Sequence, residues 1–268
     1  MPISLLILMM LVPNSAHAFT LATWNVAEFA DADALRLTRL IEAVITDLPD
    51  VIFLQEAESV TLRQLRKLPR LSAEYAVLQG KDRGGLPPGG IVILVKKSLK
   101  PRHTSYRQLP SEMDRGALSI TIDLCGYPHR LTNTHLESPD VLFWQSRNFR
   151  RQQLLALIED QQAGRMILAG DFNLVMESDA DQLFPSTWID AWLQLHPQEP
   201  GLTWDPAVNK MAYRQGGFVL PGYRLDRVLF RSDVLTPVNI RRIGVGIDEP
   251  LSDHFGLLAE FACNEKGL

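Results

Sequence analysis

Short apolar runs that end on polar residues set the pace of this chain. Thr20 to Val26 ("TLATWNV") reads as a strand, with Trp24 turned to the opposite face from Asn25 and therefore into the core. Behind it, Leu37, Leu40, Ile41, Val44 and Leu48 share one face of a helix expected over Ala32 to Leu48. Pro49-Asp50 ends that helix, and the continuous apolar strand "VIFLQE" follows, so the chain opens as β-α-β with both strands in one sheet. A second helix is expected over Leu62 to Leu68. Strands "GIVILVKK" and "LSITIDL" come next, then a turn at Gly126-Tyr127-Pro128 and strand "HRLTNTHL". A helix over Gln145 to Gln162 carries Phe149, Leu154, Leu155 and Ile158. Strand "RMILAG" precedes a loop-rich region with Trp188, Trp192 and Trp204, and strands "RLDRVLF" and "FGLLAEF" close the chain. Many strands with helices at intervals predict a mixed α/β fold, a four-layer α-β-β-α sandwich of two packed sheets.

Composition narrows the picture. With 268 residues, 46% hydrophobic and 22% charged, the chain suits one globular domain. "GGLPPGG" (Gly84 to Gly90) is too short for a linker and reads as a loop between strands. A net charge of −4 excludes a broad basic face for tracking long duplexes, so any basic patch is local. At the N-terminus an apolar run from Leu5 to Val12, too short to span a bilayer, precedes Ala16-His17-Ala18, a small-residue cleavage pattern. Residues 1–18 therefore read as a signal peptide cleaved after Ala18, leaving residues 19–268 as the mature domain, secreted or periplasmic. The leading "MPIS" lacks the Lys or Arg of such segments, and a buried strand is the competing reading. Cys125 and Cys263 fit no metal-ligand spacing; they could pair in an oxidising compartment or stand as two separate thiols.

The strand endings carry the chemistry. Asn25 ends the first strand and Glu56 the second, His135 and Glu137 end "LTNTHLE", and Asp171 and Asn173 end "MILAGDFN". Asp253 and His254 stand just before the last strand. One such ending is a turn, because Asp, Asn and Gly are ordinary turn residues. Five of them at the carboxyl rim of buried strands are a site. These residue types suit attack of water on a phosphodiester. A carboxylate deprotonates the water, a hard cation held by oxygen ligands neutralises the phosphate, and imidazole and amide N–H groups stabilise the growing charge.

The series TWN, LQE, NTHLES, GDFN, RLDRVLF and SDHFGLL resembles the endonuclease/exonuclease/phosphatase superfamily, in order and over nearly the whole mature chain. "THLES", "TWD" and "RLDRVLFRS" resemble its 5′-tyrosyl-DNA phosphodiesterase branch. The resemblance implies a Mg²⁺ (or Mn²⁺) site at Glu56 with Asn25, supported by Asp253. It implies that Asp171 and Asn173 position the water and stabilise the transition state. His135 and His254 would flank the phosphate, with Asp226 orienting imidazole and Trp204 and Ser138 shaping the groove. Asp226 could instead pair with Arg224 or Arg227. Trp144 and Arg147 could stack bases and hold a backbone, or simply begin a helix. Two departures stand out: Val175 replaces the branch's arginine, and Gly89 replaces an aromatic. The expected protein is a monomeric phosphodiesterase acting on nucleic acid, DNA above all. The alternatives are an exported general endonuclease, or a phosphatase or lipid phosphodiesterase on the same fold.

Overall fold

The computed structural model describes residues 17–80, 90–139, 144–159, 164–175, 184–215 and 221–264. Two six-stranded mixed sheets pack face to face, with helices on both outer surfaces. The first sheet has the order β11 (Leu235–Ile243), β12 (Gly256–Cys263), β1 (His17–Asn25), β2 (Val51–Gln55), β4 (Val92–Lys96), β3 (Tyr75–Gln79); the second has β5 (Arg102–Gln108), β6 (Gly116–Leu124), β7 (Tyr127–His135), β8 (Arg165–Asp171), β10 (Asp226–Arg231), β9 (Ile189–Asp190). In the first, β1 (His17–Asn25) lies parallel to β2 (Val51–Gln55) and antiparallel to β12 (Gly256–Cys263). In the second, β7 (Tyr127–His135) lies parallel to β8 (Arg165–Asp171), which pairs antiparallel with β10 (Asp226–Arg231). Both sheets thus hold a central parallel pair, with the ends of both pairs at one rim.

Alternation along these strands builds three apolar layers. Leu21, Phe53, Leu131, Ile167, Val228 and Phe261 meet between the sheets. Trp24, Ile52, Leu54 and Leu258 face outward onto α1 (Ala34–Val44) and α2 (Ser59–Lys67). On the far side, Leu168 and Leu229 pack against Leu154 and Leu157 of α4 (Trp144–Glu159).

Several sequence expectations shift. α1 is shorter than expected, since Leu48 adopts a left-handed φ of 47° beyond its end. α4 presents a different face. Phe149, Leu155 and Ile158 are only half-buried, whereas Arg150 and Gln153 are buried because they satisfy loop carbonyls of Glu137 and Pro110. The turn before β7 is formed by Cys125 and Gly126, both at positive φ, the signature of a two-residue hairpin turn; Tyr127 and Pro128 already belong to the strand. β1 begins at His17, two residues ahead of Phe19, so cleavage after Ala18 would trim the strand; residues 1–16 lie outside the described residues. β3 (Tyr75–Gln79), β5 (Arg102–Gln108) and β11 (Leu235–Ile243) went unpredicted. They are outer strands with largely solvated faces, and their patterns are weak for that reason.

Cys125 and Cys263 form a disulfide joining the end of the β6–β7 hairpin in one sheet to the end of β12 in the other. Leu124 pairs with Tyr127 at this end, while Gly116 pairs with His135 at the opposite one. The staple therefore lies some eight residues, roughly 26 Å, from the polar rim. Its sequence separation of 138 residues makes the entropic constraint on the unfolded chain large. Replacing both cysteines by serine, or adding reductant, should lower unfolding free energy by about 2–5 kcal/mol. Urea melts with and without reductant check this, and coincident midpoints would remove the pair from the stability of the fold.

Candidate active site

Register brings the polar rim together. His135 pairs with Asp171 across the parallel β7–β8 ladder, and Asp171 pairs with Asp226 across β8–β10, so the three side chains form one row on one face. The next row inward on that face is Asn133, Ala169 and Val228, and the one after it Leu131, Ile167 and Phe230. Only the last row of the stack is ionisable throughout. Gly170 precedes Asp171 for a steric reason as well as a conformational one. Its φ is 138°, and a Cβ there would lie 2.0 Å from the carbonyl oxygen of Thr134.

From the facing sheet, Asn25 Nδ2 reaches across to donate to Asp171 Oδ2 at 3.0 Å and to Glu56 Oε1 at 3.1 Å. Glu56 sits just past β2 with φ 54°, and Gly90 backs it so closely that a Cβ there would come within 2.9 Å of its Cα. Glu28, from the loop after β1, accepts from the backbone N–H groups of Glu58, Val60 and Thr61 and so fixes the start of α2 and the loop carrying Glu56. Asp171 Oδ1 accepts from the backbone N–H of Asn173, whose own amide donates to the Leu136 carbonyl.

The two histidines differ in state. His254 Nδ1 lies 2.8 Å from Asp226 Oδ2, and its Nε2 faces Asp171 Oδ2 at 3.8 Å. Burial works against its charge, yet Asp226, Asp253 and Asp171 hold its pKa well above the ordinary histidine value. His254 is an imidazolium, and Nδ1–H donates to Asp226. His135 is fully buried, and burial, the Arg115 guanidinium and His254 push its pKa well down. Because a guanidinium can only donate, the 2.7 Å contact of Arg115 with His135 Nδ1 makes that nitrogen the acceptor. The ring proton then sits on Nε2, which lies 3.4 Å from Asp171 Oδ2 and makes no hydrogen bond to it.

A cleft of about 280 Å³ opens on this row, lined by Glu56, Asp171, Asn173, Asp253 and His254 and by Ser138, Trp204 and Val175 among others. Asn25 and His135 lie behind that surface, so His135 does not flank the cleft opposite His254; it backs Asp171. Glu137 turns toward Ser111 and Gln153 and away from the cleft. Arg224 and Arg227 pair with Asp190, which leaves Asp226 to His254. Arg147 is exposed on α4 away from the lining; the Trp144 side chain and Gly89 lie outside the described residues. The residue that the sequence reading missed is Arg115. It is buried, bridges His135 Nδ1 and Ser138 Oγ at 2.7 Å each, and precedes β6 where no motif marks it.

Residues 22–254 match the Endonuclease/Exonuclease/phosphatase family. The chain belongs to that family. It is 28% identical over 266 residues to the tyrosyl-DNA phosphodiesterase 2 of Homo sapiens, covering 91% of this chain and 68% of the human protein. The chain is similar to the structure of D. rerio TDP2 complexed with a single strand DNA product, at TM-score 0.75 and 25% identity, covering 91% of this chain and 98% of that one. The fold is shared with TDP2 from C. elegans at TM-score 0.76 and 22% identity, over 91% of this chain and 75% of that one. As a family member the chain is a metal-dependent phosphodiesterase or nuclease, a hydrolase.

The residues present fit a metal. Burial and the nearby Asp253 raise the Glu56 carboxyl to about 7, and burial raises Asp171 to about 6. Three carboxylates thus crowd one cleft with a single imidazolium between them, and a cation among their oxygens would relieve the repulsion. Asp171, Asp226 and His254 also come within 4.8 Å of one another. That trio is already joined by a hydrogen bond to a charged imidazole, so the oxygen cluster at Glu56 and Asp253 is the better cation seat.

Asp226→Asn should lower the His254 pKa toward its ordinary value, because the substitution removes the nearest opposing charge. A histidine NMR titration reads this directly, and an unmoved His254 would separate the pair electrostatically.

Proposed function

We propose that the chain is a Mg²⁺- or Mn²⁺-dependent phosphodiesterase acting on DNA, with 5′-phosphotyrosyl ends as the preferred substrate. The observation that carries this reading is the His135–Asp171–Asp226 row facing Asn25 and Glu56 across the sheets. Glu56, Asn25 and Asp253 would hold a divalent cation, which when bound would neutralise charge on the phosphate oxygens. Asp171, with a pKa raised to about 6, accepts a proton from the attacking water close to neutral pH. Asn25 Nδ2 donates to Asp171 Oδ2 and the Asn173 backbone N–H to Oδ1, which fixes the carboxylate's orientation, and His135 packs behind it. His254, held in place by Asp226, presents a charged N–H on the cleft side, and Asn173 lines the same wall, so both stabilise nonbridging oxygens. Ser138 and Trp204 border the bound group.

The tyrosyl preference rests on the similarity to the relatives named above and on leaving-group chemistry. A phenol with pKa about 10 departs without a general acid, whereas a deoxyribose oxygen needs proton or metal help. Export is part of the reading. The apolar N-terminal segment with its Ala-x-Ala pattern and the Cys125–Cys263 disulfide both support a life in an oxidising compartment, with substrate DNA outside the cytoplasm.

With Mg²⁺ at one ionic strength, kcat/KM on a 5′-phosphotyrosyl oligonucleotide should exceed that on an internal phosphodiester of the same strand. Asp171→Asn should lower turnover on both by at least about a hundredfold. Equal or faster internal cleavage would make the protein a general nuclease, and a near-normal Asp171→Asn rate would take that residue out of the chemistry.

Cation binding should also follow pH. Glu56 must lose its proton to bind metal, and its pKa is about 7, so binding is suppressed below that value and complete above it. At one fixed Mg²⁺ concentration the rise in Tm over an EDTA control should be small near pH 6 and larger near pH 8. A shift independent of pH would place the cation elsewhere.

A further inference from the structure

The lining of the cleft falls into two chemically unlike sets. One is Glu56, Asp171, Asn173, Asp253 and His254; the other is Pro139, Val175, Trp204, Tyr223 and Leu225, and Ser138 and Gln215 complete the lining. The second set is an apolar wall, built as a small core of its own. Trp204 and Leu225 are buried and pack with Ala212, Val175 and Tyr223 rest against them, and the Trp204 and Tyr223 rings stack at 6.1 Å with 22° between planes. Among the described residues, no Lys or Arg lines the cleft. Arg115 lies beside Ser138, but its guanidinium is engaged with His135, Ser138 and the Met113 sulfur. The chain stretches that follow Pro139, Val175 and Gln215, residues 140–143, 176–183 and 216–220, contain no Lys or Arg in sequence. Lys81 and Arg83 lie outside the described residues.

A phosphate held beside the reacting one needs a cation or a set of N–H donors, because leaving its charge against an apolar wall forfeits hydration without replacement. An aryl ring or nucleobase needs only flat apolar surface. Resting on the phosphodiesterase reading above, we infer that the Val175–Trp204 wall seats one uncharged planar group bonded to the scissile phosphate, and that recognition stops there. The substrate class is then a phosphodiester read one nucleoside or aryl group deep, with Val175 setting that limit. Further phosphates of a strand lie off this wall and add nothing to kcat/KM.

The test uses two esters that differ by one phosphate: the p-nitrophenyl ester of thymidine 5′-phosphate, and the same ester bearing a 3′-phosphate. With the full chain and Mg²⁺ or Mn²⁺ at low salt, the added phosphate should leave kcat/KM unchanged or lower. Val175→Arg should shift the ratio toward the 3′-phosphorylated ester by at least about fivefold, about 1 kcal/mol, and added salt should erase the shift. Gln215→Arg, on an exposed lining residue, should move the ratio the same way and does not load the buried cluster. A wild-type gain of more than about fivefold from the 3′-phosphate, or a ratio that neither arginine moves, overturns the inference. Hydrolysis of neither ester by wild type would instead strike the phosphodiesterase reading on which it rests.

Discussion

Everything at the catalytic rim follows from one register row. Side chains opposite one another on neighbouring strands stand about 5 Å apart, so pairing His135 with Asp171 and Asp171 with Asp226 forces two carboxylates and an imidazole together. Two ionised acids at that spacing repel strongly in a buried setting. The facing elements resolve the conflict. Asn25 donates to Asp171 from across the sheet interface, and His254 places its charged ring between Asp171 and Asp226. The row is tolerated only because the first sheet is docked over it.

That docking is itself pinned by polar contacts in an otherwise apolar seam. Asn133, one row inward, donates to the Leu54 and Val92 carbonyls of the other sheet and accepts from Gln55 Nε2 at 2.7 Å. Gln55 in turn reaches Thr23. A buried, nearly satisfied amide network fixes one alignment of two faces that Leu, Ile and Phe alone would let slide. Gradation along the sheets, from apolar rows to amide to acid, keeps the site rigid at its base and polar only at its mouth. The far end is closed covalently by Cys125–Cys263.

Charge state also follows from position. His135 and His254 are both buried, yet one is neutral and the other charged, because Arg115 faces the first and three carboxylates surround the second. Residue type therefore did not assign their roles. The ring beside Arg115 backs Asp171; the ring among the carboxylates lines the cleft.

Much of this was legible in sequence for a local reason. Apolar runs of period two ending on Asn25, Glu56, Asp171 and His254 identify buried strands and their chemistry, because burial and alternation are properties of consecutive residues. The sandwich and the polar strand ends followed from that pattern, and the family from the resemblance of the motif series TWN, LQE, NTHLES, GDFN, RLDRVLF and SDHFGLL. What the sequence left open depends on partners distant in the chain. Whether Cys125 meets Cys263, whether Asp226 joins His254 or an arginine, and which face α4 buries are set by docking between segments tens to hundreds of residues apart. Arg115 was invisible for the same reason: its value lies in reaching His135 and Ser138, and nothing adjacent to it in the chain announces either contact.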